Sequence, residues 1–182
     1  GDFLRGYGYQ GAAFRTGGTG AAQQPGLIGE ELKQAVRQMG PWMVFISGFG
    51  EMLPYKHNRV TLDNAKKDQW GIPLLNIECT HGENEMKMAK QIIEDGAAMV
   101  ESAGGIVVSK AEKPGTPGLA IHEMGTACMG KDPRKSVLNK YNQAHDVPNL
   151  FVTDGAAMAS SGCQNPSLTY MALTARACDH AV

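Results

Sequence analysis

The sequence predicts an α+β fold in which a mostly antiparallel sheet packs against helices. Three observations indicate it: apolar runs of strand length, one long amphipathic helical pattern, and glycine- or proline-rich segments between them. The chain has 182 residues, and 42% of them are hydrophobic, which suffices for a sizeable buried core. We therefore expect a globular protein of one domain or slightly more.

The N-terminal part is predicted to hold short strands and turns up to Gly26, then a short helix and a strand. Apolar side chains recur at helical spacing over residues 29–39, and Gly40-Pro41 is predicted to end that helix. Residues 42–51 form a continuous apolar run rich in aromatic and branched side chains. This run predicts a central strand.

The middle of the chain predicts a hairpin followed by the longest helix. Residues 58–63 and 72–78 have strand patterns and are joined by a polar loop. Residues 83–103 place apolar side chains on one helical face, and two glycines follow. Residues 106–109 predict a returning strand. The Pro/Gly-rich stretch 112–118 then predicts a boundary, with a substrate-binding domain at 1–118 and a second segment at 119–182.

The C-terminal segment is predicted to contain a short strand, a glycine-rich loop and a final helix. Residues 149–153 read as the strand, and the turn Asp154-Gly155 follows it. Asn165 is predicted as the N-cap of the last helix, with Pro166 in the first helical position.

Charge and cysteine content exclude several classes of function. Seventeen basic and eighteen acidic residues give a net charge of -1 without a basic run, so nucleic acid is not an expected partner. No apolar run reaches the ~20 residues of a membrane span, and no signal-peptide pattern is present, which leaves the compartment open. The cysteines form no C-x-x-C pair, so free thiols are favoured over a zinc site. They are Cys79, Cys128, Cys163 and Cys178.

Two further patterns have weak functional interpretations. Gly6, Gly8 and Gly11 match the letters of the dinucleotide-binding fingerprint, but that fingerprint needs a strand before it and a helix after it. Glycine-rich turns between strands are the better interpretation. A metal site built from histidines and cysteines is a rival hypothesis that their irregular spacing disfavours. Its histidines would be His57, His81, His122 and His145.

His122 and Asn165 are the candidate catalytic residues. His122 lies between an apolar stretch and Gly125, and imidazole is the side chain best matched to proton transfer near neutral pH. A lone histidine of this kind is nevertheless more often a hydrogen-bonded core residue. Asn165 begins the last helix, whose unpaired N–H groups favour an anion in front of them. The alternative is that Asn165 only caps this helix.

Four segments together resemble, in order and spacing, the C-terminal region of the glucose-methanol-choline (GMC) oxidoreductases. They are HEMGTACMG at 122–130, SVLN at 136–139, NLFVTDG at 149–155 and NPSLTYMAL at 165–173. Residues 53–54, 58–63 and 70–73 resemble the substrate-binding region of the same family more loosely. The joint pattern is specific and covers about a third of the chain strongly.

The resemblance implies an FAD-dependent oxidoreductase acting on CH–OH groups. His122 would accept the hydroxyl proton of the substrate while a hydride passes to flavin N5, and Asn165 would hold the same oxygen. The start of the last helix would face the negatively charged edge of the reduced flavin. Thr169 is a weaker candidate for a flavin contact. The flavin contacts that the resemblance implies are Asp154, Gly155, Ala156, Asn165, Pro166 and Ser167.

The resemblance also implies that the ADP-binding half of the FAD domain lies outside this sequence. We therefore expect a fragment of a longer enzyme that, by itself, binds FAD poorly and is inactive. A small alcohol or sugar is the expected substrate, with a pyranose or glycoside favoured, and a quinone or cytochrome is a candidate electron acceptor. The alternative is a non-catalytic carbohydrate-binding or accessory module, which the presence of both His122 and Asn165 disfavours.

Overall fold

The computed structural model of the protein describes residues 2–18 and 26–182, and these form an α+β structure. Strands β1 and β2 make one two-stranded sheet, and β3 and β4 make another. The predicted fold class is confirmed. The elements are β1 (Tyr7–Gly17), α1 (Gly29–Arg37), β2 (Met39–Gly50), β3 (Arg59–Lys67), β4 (Pro73–Glu78), α2 (Glu83–Ser102), a short 3-10 helix (Gly155–Ala157) and α3 (Ser167–Ala181).

The described residues of Tyr9–Gly48 form one compact unit, made of most of β1, α1 and most of β2. Here the prediction of glycine-rich turns is wrong, because Gly8 and Gly11 lie inside β1. A Cβ atom at Gly11 would collide with the carbonyl oxygen of Phe45 on β2, so the close approach of the strands requires glycine. Residues 19–25, which the same prediction included, lie outside the described residues.

The boundary between α1 and β2 also differs from the prediction. Helix α1 ends at Arg37, and the next strand starts at Met39, so Gly40 and Pro41 lie in the strand and do not end the helix. In the described part of the chain β2 pairs with β1 alone, so its predicted central position is wrong. Its apolar side chains are accordingly exposed, with Trp42 at 67%.

The second compact unit contains residues 2–8 and Phe49–Val182, and its hairpin β3–β4 confirms the predicted antiparallel pair. The register pairs Leu62 with Leu75, and the ladder is irregular between Asp63 and Lys67. Asp68 stabilises the turn, since its Oδ1 accepts the N–H groups of Trp70 and Ile72, each at 2.9 Å.

Helix α2 confirms the longest predicted helix, and the buried Glu85 fixes its start. One carboxylate oxygen accepts the N–H of Gly82, the residue before the helix, at 2.9 Å. The same carboxylate accepts the N–H of Leu53 and the hydroxyl of Tyr55, both at 2.9 Å. Burial raises the pKa of Glu85, but these hydrogen bonds outweigh it and hold the pKa below its usual value.

Two predicted strands in the remainder are not formed. Residues 106–109 have no strand, and Ile106 is 86% exposed because no neighbouring strand lies alongside it in the described part of the chain. Residues 149–153 contain only one isolated bridge, between Gln143 and Phe151. The apolar cluster of this segment is small and consists of Leu138, Ala144 and Ala157, with Ala127, Met129 and Val152 packed against it.

The last helix, α3, begins at Ser167, and Pro166 is its N-cap residue. The prediction of Asn165 as N-cap and Pro166 as the first helical residue is therefore wrong by one position. The carbonyl of Pro166 accepts the N–H of Tyr170 at 3.1 Å, which is the first bond of the helix. Asn165 lies outside the helix, and its side chain is used elsewhere. Among the described residues, no helix is long and apolar enough to cross a membrane.

Candidate active site

His122 and Asn165, the two predicted catalytic residues, are in direct contact although 43 positions separate them. The imidazole Nε2 lies 2.9 Å from Oδ1 of Asn165. The other ring nitrogen, Nδ1, lies 2.6 Å from the carbonyl oxygen of Ile121. The ring is thus held at both nitrogens.

The Ile121 carbonyl favours a proton on Nδ1, because the Asn165 amide can turn over to suit either state of Nε2 and the carbonyl cannot. A carbonyl oxygen can only accept, so Nδ1 must donate to it. A neutral His122 then has its lone pair on Nε2, which faces Asn165. The Asn165 amide presents its oxygen to this nitrogen, and a half-turn of the amide presents the NH2 group at the same place. Nε2 is therefore the atom of His122 that can accept a proton.

The same contacts affect the acidity of the ring. The hydrogen bond to Asn165 and the one to the Ile121 carbonyl raise the pKa of His122 above its usual value, since both oxygens favour a protonated ring. The negative charge of Glu123 adds to this increase, and partial burial of the ring opposes it. His122 is a stronger base here than an exposed histidine in water.

Backbone hydrogen bonds fix the loop after His122 against the short 3-10 helix. The N–H groups of Gly125, Ala127 and Met129 donate to the carbonyls of residues 155, 156 and 157, at 3.2, 2.9 and 2.9 Å. These three bonds join the histidine loop to the turn that the sequence predicted as a flavin contact. Asp154 completes that turn, since its Oδ1 accepts the N–H of Ala156 at 2.9 Å.

Gly155 is buried where the two segments meet. A Cβ atom at this position would lie 3.0 Å from Sδ of Met124, 3.0 Å from the hydroxyl of Tyr170 and 3.2 Å from the carbonyl oxygen of Glu123. The Tyr170 hydroxyl also donates to Sδ of Met124 at 3.3 Å. A side chain at residue 155 would require these neighbours to shift by a few tenths of an ångström, so Gly155 has a structural role whether or not a cofactor is bound.

The start of α3 places the remaining predicted residues beside the His122 and Asn165 pair. Pro166 is buried, and Ser167 is exposed. The N–H groups of the first helical turn have no preceding helical carbonyl to bond, and they carry the positive end of the helix dipole. A flavin, whose reduced form carries negative charge on its N1/C2 carbonyl edge, matches this arrangement in charge and in hydrogen-bonding type.

Sequence reasoning missed Ile121 and Glu123, which flank His122. Ile121 adopts φ 56°, an unfavourable value for a β-branched residue, and no sequence signal indicates it. Glu123 accepts the N–H of Ala120 through Oε1 at 2.9 Å. No sequence pattern indicates this bond, because residue 120 is alanine and no helix begins at residues 120–123.

The histidines and cysteines do not form a metal centre in the part of the chain that the structure describes, where no three potential ligands converge. All four cysteines are free thiols; Cys178 is exposed, and the other three are half-buried. Burial, together with the charge of Glu123, raises the pKa of Cys79 and keeps this thiol protonated at neutral pH.

A family model described as GMC oxidoreductase matches residues 54–174. The chain belongs to the GMC oxidoreductase family. Members of this family are flavoproteins, generally with FAD.

Curated relatives extend over most of the chain. The chain is 39% identical over 140 residues to 2-methyl-1,2-propanediol dehydrogenase of Mycolicibacterium austroafricanum, which covers 76% of this chain and 24% of that protein. It is 34% identical over 186 residues to the fructose dehydrogenase large subunit of Gluconobacter japonicus, with coverage of 98% and 33%. It is 30% identical over 152 residues to the gluconate 2-dehydrogenase flavoprotein of Pantoea cypripedii, with coverage of 80% and 25%. The chain therefore spans about a quarter to a third of the length of these relatives.

Proposed function

We propose that this chain is the C-terminal part of an FAD-dependent enzyme that oxidises the CH–OH group of a sugar or a small alcohol, with His122 as the base. One observation carries the proposal: Nε2 of His122 lies 2.9 Å from Oδ1 of Asn165, while Nδ1 lies 2.6 Å from the Ile121 carbonyl oxygen. A base next to an amide can take the proton of an alcohol hydroxyl and bind its oxygen while the hydride leaves to an acceptor.

In the proposed reaction the substrate hydroxyl lies beside the pair and contacts both Nε2 of His122 and the Asn165 side chain, which are 2.9 Å apart without substrate. His122 accepts the hydroxyl proton at Nε2, and the Asn165 NH2 group donates to the oxygen that loses it. The C–H bond breaks with its electron pair, and the C–O bond becomes a carbonyl. FAD, when bound, supplies the two-electron acceptor for this hydride. The substrate loses one proton and one hydride, so atoms and electrons balance.

The flavin contacts that we propose are Asp154, Gly155, Ala156, Asn165, Pro166 and Ser167. The turn at Asp154 is rigid because of its bond to Ala156 and the backbone bonds to the His122 loop. The first turn of α3 would stabilise negative charge on the reduced flavin. Most of these contacts would be made by backbone atoms, because Gly155 and Ala156 offer little else.

The substrate class that we propose rests on the relatives, whose names refer to fructose, gluconate and a small diol. A sugar, sugar acid or polyol is therefore the proposed class, with a pyranose or glycoside as the first choice. A quinone or a cytochrome is the proposed electron acceptor, since these three relatives are dehydrogenases.

We further propose that the remaining part of a longer chain completes the FAD domain. Two observations support this. The chain spans about a quarter to a third of its relatives, and α3 leaves Leu168 and Met171 78% and 67% exposed at its flavin-facing end. Large apolar side chains in that position are typical of a surface that another segment covers. The proposed division into a substrate-binding domain at 1–118 and a catalytic segment at 119–182 belongs to the same proposal.

The test is the visible spectrum of the full-length protein under anaerobic conditions, before and after addition of candidate substrates. The panel contains glucose, fructose, gluconate, a methyl glycoside and 2-methyl-1,2-propanediol. We expect an oxidised-flavin band that one of these compounds bleaches. A protein without a flavin band, even after FAD is supplied, would contradict the proposal and favour the carbohydrate-binding module.

A further inference from the structure

We infer that Glu123 is a positioning residue: its carboxylate closes the tight turn at residues 120–123 and thereby directs the Ile121 carbonyl to Nδ1 of His122. The inference rests on the proposed function, because it explains how the base is kept in its working form. It adds a role for a residue next to the base that does not touch the reacting atoms.

One side-chain hydrogen bond, from Ala120 to Glu123, closes the turn at residues 120–123. Oε1 of Glu123 accepts the N–H of Ala120 at 2.9 Å, and this bond encloses Ile121 and His122. Within the turn that this bond closes, Ile121 has φ 56°, a left-handed value that is unfavourable for a β-branched residue. A conformation of that kind persists only where the surroundings impose it.

The surroundings of Ile121 do not impose this conformation through packing. Its side chain is 87% exposed, so no buried contact with the other described residues holds Ile121 in the left-handed region. The Glu123 bond to Ala120 is the local interaction that spans the turn. Without it we expect Ile121 to relax to a negative φ, which turns its carbonyl away from the ring.

The consequence for His122 is a change of tautomer. With the carbonyl at 2.6 Å, Nδ1 carries the proton and Nε2 is free to act as the base. Without the carbonyl, the proton can move to Nε2, where it bonds to the Asn165 oxygen and blocks the base. Glu123 is also the charged group that acts on His122, while its other neighbours, the Ile121 carbonyl and the Asn165 amide, do not titrate.

Histidine tautomers can be observed without a substrate, so the test does not depend on enzyme activity. Solid-state nitrogen spectra of the FAD-loaded full-length protein, labelled with 15N at histidine, distinguish a protonated from an unprotonated ring nitrogen. The His122 signals are assigned as those lost in His122→Ala. Above the pKa of His122 we expect Nδ1 protonated and Nε2 unprotonated, and a protonated Nε2 would overturn the inference.

Three variants separate the carboxylate bond from the charge. Glu123→Gln keeps an oxygen that can accept the N–H of Ala120, so we expect the wild-type tautomer. The plateau of the flavin-reduction rate should stay within about twofold of wild type, and the acid limb of its pH profile should move to lower pH because the negative charge is lost. Glu123→Ala is expected to give mixed tautomers and a plateau lower by about tenfold. Ile121→Asn in the Glu123→Ala background should restore both, because asparagine tolerates the left-handed region.

The outcomes also separate this inference from the proposed function. An unchanged tautomer in Glu123→Ala overturns the positioning role, even if His122→Ala is inactive. Normal flavin reduction in His122→Ala overturns the proposed function, even if the tautomer responds to Glu123. Glu101→Ala, an exposed site on α2, is the control for removal of a carboxylate and should change neither quantity. If Glu123→Ala fails to fold, the wild-type tautomer and the double variant still decide the question.

Discussion

The hairpin with α2 and the C-terminal segment hold their backbones in place by different means. Residues 59–102 form regular elements, and one buried carboxylate, Glu85, ties the start of the helix to the loop before the hairpin. The segment from His122 to Ala157 has almost no regular structure, and isolated bridges and loop hydrogen bonds hold it together. Only the first of these two regions is held mainly by regular secondary structure.

The catalytic candidates lie in the irregular region. An irregular backbone can place a carbonyl and a side chain at the two nitrogens of one ring, as Ile121 and Asn165 do at His122. In a helix or strand the carbonyls are already used in the hydrogen bonds of that element. We therefore expect residues 59–102 to contribute mainly to the stability of the fold, and the irregular segment to position the groups around His122. Variants in the two regions should therefore affect different measurements.

Removal of the base is expected to have the largest effect, and on chemistry alone. His122→Ala in the full-length protein should lower the rate of flavin reduction by roughly 10²–10⁴-fold, because general-base catalysis contributes that much. Bound FAD and the thermal midpoint should hardly change, since the side chain is only half-buried. Stopped-flow reduction by the substrate that the panel identifies measures the rate. Equal rates in variant and wild type would contradict the assignment.

Removal of the Glu85 carboxylate should lower the stability of the fold and leave the chemistry of flavin reduction unchanged. Glu85→Ala leaves the N–H groups of Leu53 and Gly82 and the Tyr55 hydroxyl without their acceptor, so we expect a loss of about 3 kcal/mol in the free energy of unfolding. Urea unfolding followed by circular dichroism measures it, with Glu101→Ala as the control. Because its folded pKa is lowered, the contribution of Glu85 is present above about pH 4.5 and is lost as the pH falls below that. A pH-independent difference between variant and wild type would contradict this assignment.

The same contrast explains what the sequence could predict. Periodicity located α2 and the β3–β4 hairpin closely, because their apolar patterns match a helix and a strand period. It failed at residues 106–109 and 149–153, where branched apolar residues indicate strands but no neighbouring strand pairs with them among the described residues. Such a sequence pattern indicates a preference for extended backbone, but a strand forms only where another strand is available for hydrogen bonding.

The candidate site was predictable in its side chains and unpredictable in its backbone. The spacing of recognisable motifs identified His122 and Asn165, and the structure brings these two into contact. The positive φ of Ile121 had no signal, because nothing in an isoleucine indicates a left-handed turn. The N-cap of α3 was displaced by one residue because the Asn165 side chain bonds to His122, and local propensity cannot foresee such a long-range partner.

Gly155 tests whether the irregular region also contributes to stability. In Gly155→Ala the new methyl group would press on Met124, Tyr170 and the Glu123 carbonyl, so we expect a loss of about 1–2 kcal/mol and weaker retention of FAD. Gly115→Ala is the matched control, because a Cβ atom there meets nothing within 4 Å. Thermal unfolding and the flavin content after gel filtration measure the two effects. Equal behaviour of the two variants would contradict the tight packing at residue 155.

The smallest expected effect is a displacement of the pH profile, and it reports on the orientation of Asn165. Flavin reduction should rise with pH through the His122 pKa, which lies above the usual value, because only the unprotonated ring accepts a proton.

Asn165→Ala removes the oxygen that favours the protonated ring, so its acid limb should move to lower pH, while Asn165→Asp, of similar size, should move it to higher pH. The pH dependence of the reduction rate measures both. A limb that moves to higher pH in Asn165→Ala would mean that the amide donates to Nε2 in the free enzyme, with its NH2 group already facing the base.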